Sequence, residues 1–278
     1  MSIDLTGKCV VVTGAGGGLG TKLVKQLVDS NAKVALIGRT VETLEKANAG
    51  SNPQTDQTSI WECDVGDPEQ VRTTFQNIVN KFGSIDVLIN NAAIAFKKTL
   101  VECSLSEIKT IYDTNVFGFF NCTKEVLPIF LSKKTGHIIN VASLVGLTGM
   151  PTYNGYGDSK AAVIRMSEEW RRELADKNIQ VTTVFLYFTA TKMLFPETGL
   201  DQVVARFPLI PPLDAGKVAH AMVNVIKRPR KELWLPGYIR LLMAPIILLP
   251  GLGDFLIPRL PQGTPSHWRL EYLPSIEL

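Results

Sequence analysis

The chain is poor in the residues that build metal centres and disulfide frameworks. Its 278 residues hold three histidines (His137, His220, His267) and four cysteines (Cys9, Cys63, Cys103, Cys122). The histidines are scattered and no CxxC spacing occurs, so no metal site is expected. Cys9 and Cys63 fall in strand-like apolar runs, which suits buried thiols of a reducing compartment. An excess of one charge is also missing. The net charge of +3, with no basic–aromatic stripe, argues against nucleic acid as a partner. The opening "MSIDLTGKCVVV" lacks the charged-then-apolar pattern of a secretory signal, so a cytoplasmic location is expected. Nor does the C-terminal segment supply a secure spanning helix. From Leu241 to Gly253 no residue is charged, but Pro245 and Pro250 interrupt the run. It also falls short of the roughly 20 residues a bilayer requires.

What the chain has in quantity is alternation. Apolar runs at 8–13, 33–38, 59–64, 85–90, 136–143, 179–185 and 232–236 read as seven strands. Amphipathic stretches at 19–30, 40–48, 67–82, 106–133, 155–177 and 214–227 lie between them. Near-continuous Val/Ile/Leu strands separated by helices imply an α/β fold of the Rossmann type, a doubly wound parallel sheet of about seven strands covered on both faces. Residues 1–236 are expected to form the dinucleotide-binding catalytic unit, with a substrate lid at 186–213 and an apolar extension at 237–278.

A glycine-rich loop follows the first strand, yet the familiar G-x-G-x-x-G is absent. Gly14 and Gly16 fit, but position 19 is leucine; the pattern present is G-x-x-x-G-x-G at Gly14, Gly18 and Gly20. Such glycines permit a tight turn and close backbone approach, and the helix that follows offers its N-terminus to a pyrophosphate. A carboxylate at the end of the second strand, the usual partner of an NAD ribose, is missing as well. Gly38 and Arg39 stand there instead. An arginine suits a 2′-phosphate, so NADP(H) is favoured over NAD(H).

"YNGYGDSKAA" (153–162) supplies two tyrosines and a lysine. A phenol titrates near pH 10 and makes a poor acid or base unless a neighbour stabilises its anion. Lys160 lies one helical turn after Tyr156 and two after Tyr153. Tyr156 is therefore the candidate for chemistry, and Tyr153 is expected to line the approach.

Taken in order, TGxxxGxG (Thr13 to Gly20), Asp64 closing strand three, "NNAA" (90–93), "NVFG" (115–118), Ser143 and YxxxK thirteen residues later resemble the short-chain dehydrogenase/reductase family over roughly residues 5–236. The resemblance implies Tyr156 as general acid/base and Lys160 as the cation that lowers its pKa and bonds the nicotinamide ribose. Ser143 would hold the substrate oxygen, and Asn115 would anchor a water of the proton relay. It further implies that Gly14, Gly18, Leu19 and Gly20 cradle the phosphates beside Thr13. Asp64 and Val65 would flank the adenine, Asn91 and Ala92 would support that side, and Thr189 and Thr191 would meet the carboxamide. Two departures stand out. Ala93 replaces the family's glycine, and Leu186-Tyr187 replaces the Pro-Gly after strand six, so Tyr187 is expected to narrow the nicotinamide pocket.

The lid carries Met193, Leu194, Phe195, Phe207, Leu209 and Ile210 and no cationic cluster for a charged substrate. A lipophilic ketone, aldehyde or alcohol is therefore expected. The rivals are a 3-oxoacyl-thioester reductase and a non-catalytic cofactor-binding scaffold. The resemblance also implies a homodimer or homotetramer. In the tail, Lys227, Arg228, Arg230 and Lys231 precede the uncharged run. Three readings stay open for 237–260: a pocket flap, a dimer contact, or a peripheral contact with a cytosol-facing membrane.

Overall fold

The structure, a computed structural model, describes residues 3–191 and 211–257. The strands are β1 Cys9–Thr13, β2 Lys33–Gly38, β3 Thr58–Glu62, β4 Val87–Asn90, β5 Gly136–Ser143, β6 Ile179–Leu186 and β7 Glu232–Leu235. They form one sheet in the order β3-β2-β1-β4-β5-β6-β7, and every pairing is parallel. This is the doubly wound arrangement that the alternation predicts, and its order reverses between β1 and β4.

Helices α1 Gly18–Asp29, α2 Val41–Ser51, α3 Pro68–Phe82, α4 Leu105–Tyr112, α5 Gly118–Lys133, α6 Tyr156–Glu173 and α7 Ala215–Lys227 cover the sheet. Successive strand residues face opposite ways, so β1 divides its side chains between two cores. Val10 and Val12 pack with Leu23, Leu27 and Met222 of α1 and α7. Cys9 and Val11 pack with Phe75, Ile78 and Phe130 of α3 and α5. Local signals set the helix ends. Asp67 caps α3 by accepting from the Glu69 and Gln70 amides at 2.9 and 3.1 Å, Pro68 opens the helix, and Gly83 at φ +81° closes it.

The sequence predicts one helix over 106–133, and the structure breaks it. A π turn at Asp113–Phe117 separates α4 from α5, with the Gly118 amide donating to the Asp113 carbonyl. The extra residue turns Asn115 inward, fully buried, where its side chain bonds the loop after β4.

The lid side chains from Met193 to Ile210 lie outside the described residues. Beyond β7 the chain forms two short helices, α8 Ile239–Leu248 and α9 Pro250–Leu256, bent by 112° to each other. Among the described residues no single helix is long and apolar enough to cross a membrane. Ile239 is buried in a third core cluster with Phe119, Ala142, Leu144, Val163, Ile164 and Phe185, and Tyr187 and Met243 pack against it. The structure also separates two features that the sequence places side by side. Lys227 to Lys231 lie ahead of β7, at the edge where parallel strands begin, whereas α8 and α9 leave the opposite edge. Four strand residues, roughly 13 Å, stand between them.

Candidate active site

The glycine loop runs from the end of β1 into α1 and is built for close approach. Gly14 has φ +64°, and a Cβ there would meet the Ala92 Cα at 2.8 Å. A Cβ on Gly20 would collide with the Gly14 carbonyl, and one on Gly18 would press on the Thr191 methyl at 3.0 Å. A backbone cradle that side chains would fill fits the phosphates of a dinucleotide. The Ala15 amide donates to the Ile37 carbonyl at 3.0 Å, which holds the loop against the end of β2. Arg39 is exposed just beyond that strand end.

Several of the expected cofactor residues prove to be braces. Thr13 is 1% exposed; its hydroxyl accepts from the Asn91 and Ala92 amides, both at 3.0 Å, and donates to the Ile89 carbonyl. The Asn91 side chain donates to the Thr13 and Gly14 carbonyls at 2.9 and 3.2 Å. Together they fix the loop after β4 to the glycine loop. Leu19 turns its side chain into the core between the sheet and α1. Asp64 accepts from the Gly66 amide at 2.9 Å, and Val65 is buried beneath Gly118. Ala93 is not among the residues of positive φ, so it replaces glycine without backbone strain. Thr191 lies against Gly18, next to the phosphate cradle. Thr189 is buried and donates to the Tyr187 carbonyl at 3.2 Å.

Across the sheet, Ser143 ends β5 and Tyr156 opens α6. Gly155 takes φ +75° just ahead of Tyr156, and a Cβ there would strike Ile108 at 2.7 Å, so a glycine is needed to deliver the chain into the helix. Tyr156 heads an aromatic row: its ring is 6.3 Å from Tyr153, Tyr153 is 6.1 Å from Phe188, and Phe188 is 5.1 Å from Tyr187. Tyr187 is thus linked to Tyr156 through Phe188 and Tyr153.

Lys160 is buried, donates to the Val141 carbonyl at 2.8 Å, and sits 5.7 Å from the Tyr156 ring and 5.1 Å from that of Phe119. Burial pulls its pKa down to about 7. Burial also pushes Tyr156 up to about 12, against the opposing pull of a hydrogen bond with Ser143. The sequence leads one to expect a lysine that lowers the tyrosine's pKa. In the structure desolvation dominates both groups and keeps the phenol protonated. A protonated phenol is the form that can give a proton to a developing alkoxide.

Asn115 is engaged from all sides. Its carbonyl accepts from the Ile94 amide at 2.8 Å; its amide donates to the Ile94 carbonyl at 2.9 Å and to Ser159 Oγ at 3.0 Å. Both amide hydrogens are used, so this side chain fixes structure instead of offering a free donor to water. Ser159 was not singled out by motif. Its signal was a small polar residue on the buried face of α6, three positions after Tyr156.

Residues 8–198 match the profile of the short chain dehydrogenase family. This chain belongs to the short-chain dehydrogenase/reductase family. Its similarity to the 3-oxoacyl-[acyl-carrier-protein] reductase FabG of Thermotoga maritima is 32% identity, over 74% of this chain and 84% of that protein. Human short-chain dehydrogenase/reductase 3 is 30% identical over 89% of this chain and 81% of its own length. The fatty acyl-CoA reductase of Acinetobacter baylyi is 28% identical over 92% and 87%. Among solved structures, ElxO with NADP bound superposes with a TM-score of 0.75 at 26% identity, covering 86% of this chain and all of that one. The family makes this short-chain dehydrogenase/reductase an oxidoreductase.

Proposed function

We propose that this protein is an NADP(H)-dependent oxidoreductase that interconverts a lipophilic ketone or aldehyde and its alcohol. The observation that carries the reading is the partly buried, hydrogen-bonded Tyr156–Ser143 pair beside the buried Lys160. The nicotinamide, when bound, supplies or takes the hydride. Tyr156 then gives its proton to the substrate oxygen, while Ser143 holds that oxygen by a second hydrogen bond. Both contacts strengthen as negative charge builds on the oxygen, which favours the transition state over the ground state. Lys160 supplies positive charge when protonated and replenishes the proton. Gly14, Gly18 and Gly20 would hold the pyrophosphate with Thr191 alongside, and Arg39 would take the 2′-phosphate. The NADP seen in ElxO supports this cofactor.

A 3-oxoacyl-thioester substrate is the second reading, favoured by the likeness to FabG. The aromatic row of Tyr153, Phe188 and Tyr187 supports the lipophilic substrate instead. Consumption of NADPH, followed with a panel of lipophilic aldehydes and ketones and with an acetoacetyl thioester, separates the two. Turnover confined to the thioester removes the first reading, and no turnover of either leaves a cofactor-binding scaffold.

Residues 1–236 would form the catalytic unit, in a cytoplasmic homodimer or homotetramer. The hairpin of α8 and α9 would rest on a membrane surface. Leu241, Leu248 and Leu249 are 77%, 76% and 60% exposed, and Ile239 roots them beside the aromatic row. With the basic cluster at the far edge, apolar burial alone would drive this contact. Flotation with neutral liposomes should therefore equal flotation with anionic ones, and protein that stays down with both ends the idea.

A further inference from the structure

We propose that Ser159 is a positioning residue for the Tyr156–Lys160 pair, an inference that rests on the catalytic reading above. Its hydroxyl is fully buried, accepts from Asn115 Nδ2 at 3.0 Å and donates to the Tyr156 carbonyl at 2.7 Å. Asn115 in turn holds Ile94 through two bonds of 2.8 and 2.9 Å. The loop after β4, the π turn and the first turn of α6 thus share one hydroxyl. That turn carries Tyr156, and Lys160 is the next residue in the chain. Removing the hydroxyl leaves the Tyr156 carbonyl without this bond and Asn115 with a spare hydrogen. Helix α6 is then free to shift relative to β5 and Ser143. A small displacement of a catalytic group is felt mainly in the rate of the chemical step.

The same helix provides an internal control. Ser167, two turns further on, is equally buried, donates to the Val163 carbonyl and accepts from Asn140 Nδ2 at 2.9 Å. The two serines make the same pair of bonds, but only Ser159 ties its partner to the catalytic turn. A purely structural role therefore predicts equal consequences for both.

The test compares Ser159→Ala with Ser167→Ala in the full-length enzyme, on whichever substrate the wild type turns over. That wild-type turnover checks the catalytic reading separately. Both variants should lose similar thermal stability. Ser159→Ala alone should lower kcat by about tenfold, with KM for NADPH within about threefold, and should displace the pH–rate profile that reports Tyr156. Should either alanine variant not fold, Ser159→Cys is read against Ser167→Cys in the same way, since cysteine keeps the volume with only a weak donor. Equal kcat values for the paired variants, or a pH profile unchanged in Ser159→Ala, would overturn the proposal.

Discussion

Replacing Lys160 by methionine should make the cofactor-free protein more stable while removing its activity. The ammonium is wholly buried, and burial lowers its pKa from 10.5 to about 7. Between those two values the folded state binds fewer protons than the unfolded chain, so stability rises as pH climbs from about 7 towards 10.5. At pH 7 the buried lysine costs about 4 kcal/mol relative to a side chain that does not titrate. Methionine fills a similar volume but forfeits the bond to the Val141 carbonyl, a loss of about 1–3 kcal/mol. The net gain is about 1–3 kcal/mol, or a Tm roughly 2–6 °C higher in a chain of this size. Thermal melts at about pH 7 and pH 10 measure it, since the advantage should shrink as pH nears 10.5, where the unfolded lysine also begins to lose its proton. Turnover should meanwhile be lost. A methionine variant that melts below wild type at neutral pH, or one whose advantage ignores pH, would refute the reasoning.

Tyr156→Phe should abolish turnover with cofactor affinity within a few-fold of wild type, whereas Tyr153→Phe should keep most activity; steady-state rates and NADPH titration distinguish them, and reversed phenotypes would assign the chemistry to Tyr153. Arg39→Asp should weaken NADPH binding by about ten- to a hundredfold and leave NADH closer to unchanged, because one charge-assisted phosphate contact contributes roughly 1.5–3 kcal/mol. His137 is buried, and burial depresses its pKa from 6.5 to about 4, so it contributes stability above the unfolded value that is lost as pH falls through this window. Denaturant melts should show a loss of about 2 kcal/mol from this group between pH 7 and pH 5, and His137→Gln should flatten that slope.

The sheet was legible because most strands are short Val/Ile-rich runs, β3 and β7 excepted, and the helices between them carry apolar stripes, so both periodicities agree with the topology. The helix over 106–133 was not read correctly. Nothing in its apolar spacing reveals that Asn115 gains more by turning inward to Ile94 than by keeping α-helical register. In the candidate site, the tight turn expected at Gly14 was legible: the structure gives it φ +64° with Ala92 close against it. The site was less legible where neighbouring motifs serve one another. Thr13 and Asn91 lie in motifs associated with the cofactor, yet their side chains brace the two loops, and only folding shows which backbone groups come within reach. The tail misled for a related reason. Adjacent in sequence, the basic cluster and the uncharged run are divided by β7, and a strand carries its two ends to opposite edges of the sheet.

Two of the buried polar columns differ in a way that bears on what the fold sustains. In one, Asn90 donates to Asn140 at 2.9 Å and to Thr123 at 3.1 Å, and Asn140 donates to Ser167; every member is neutral. Such a network specifies how β4, β5, α5 and α6 meet without placing a charge in low dielectric. The other runs from Ile94 through Asn115 and Ser159 to the turn of Tyr156 and Lys160, and it ends in two titratable groups that burial pulls away from their ordinary pKa values. A neutral side chain at Lys160 would suit the fold better. On the proposed reading the buried lysine serves proton transfer, for which a pKa near 7 is well placed. On that reading, the second column is where the sequence departs from what stability alone would choose.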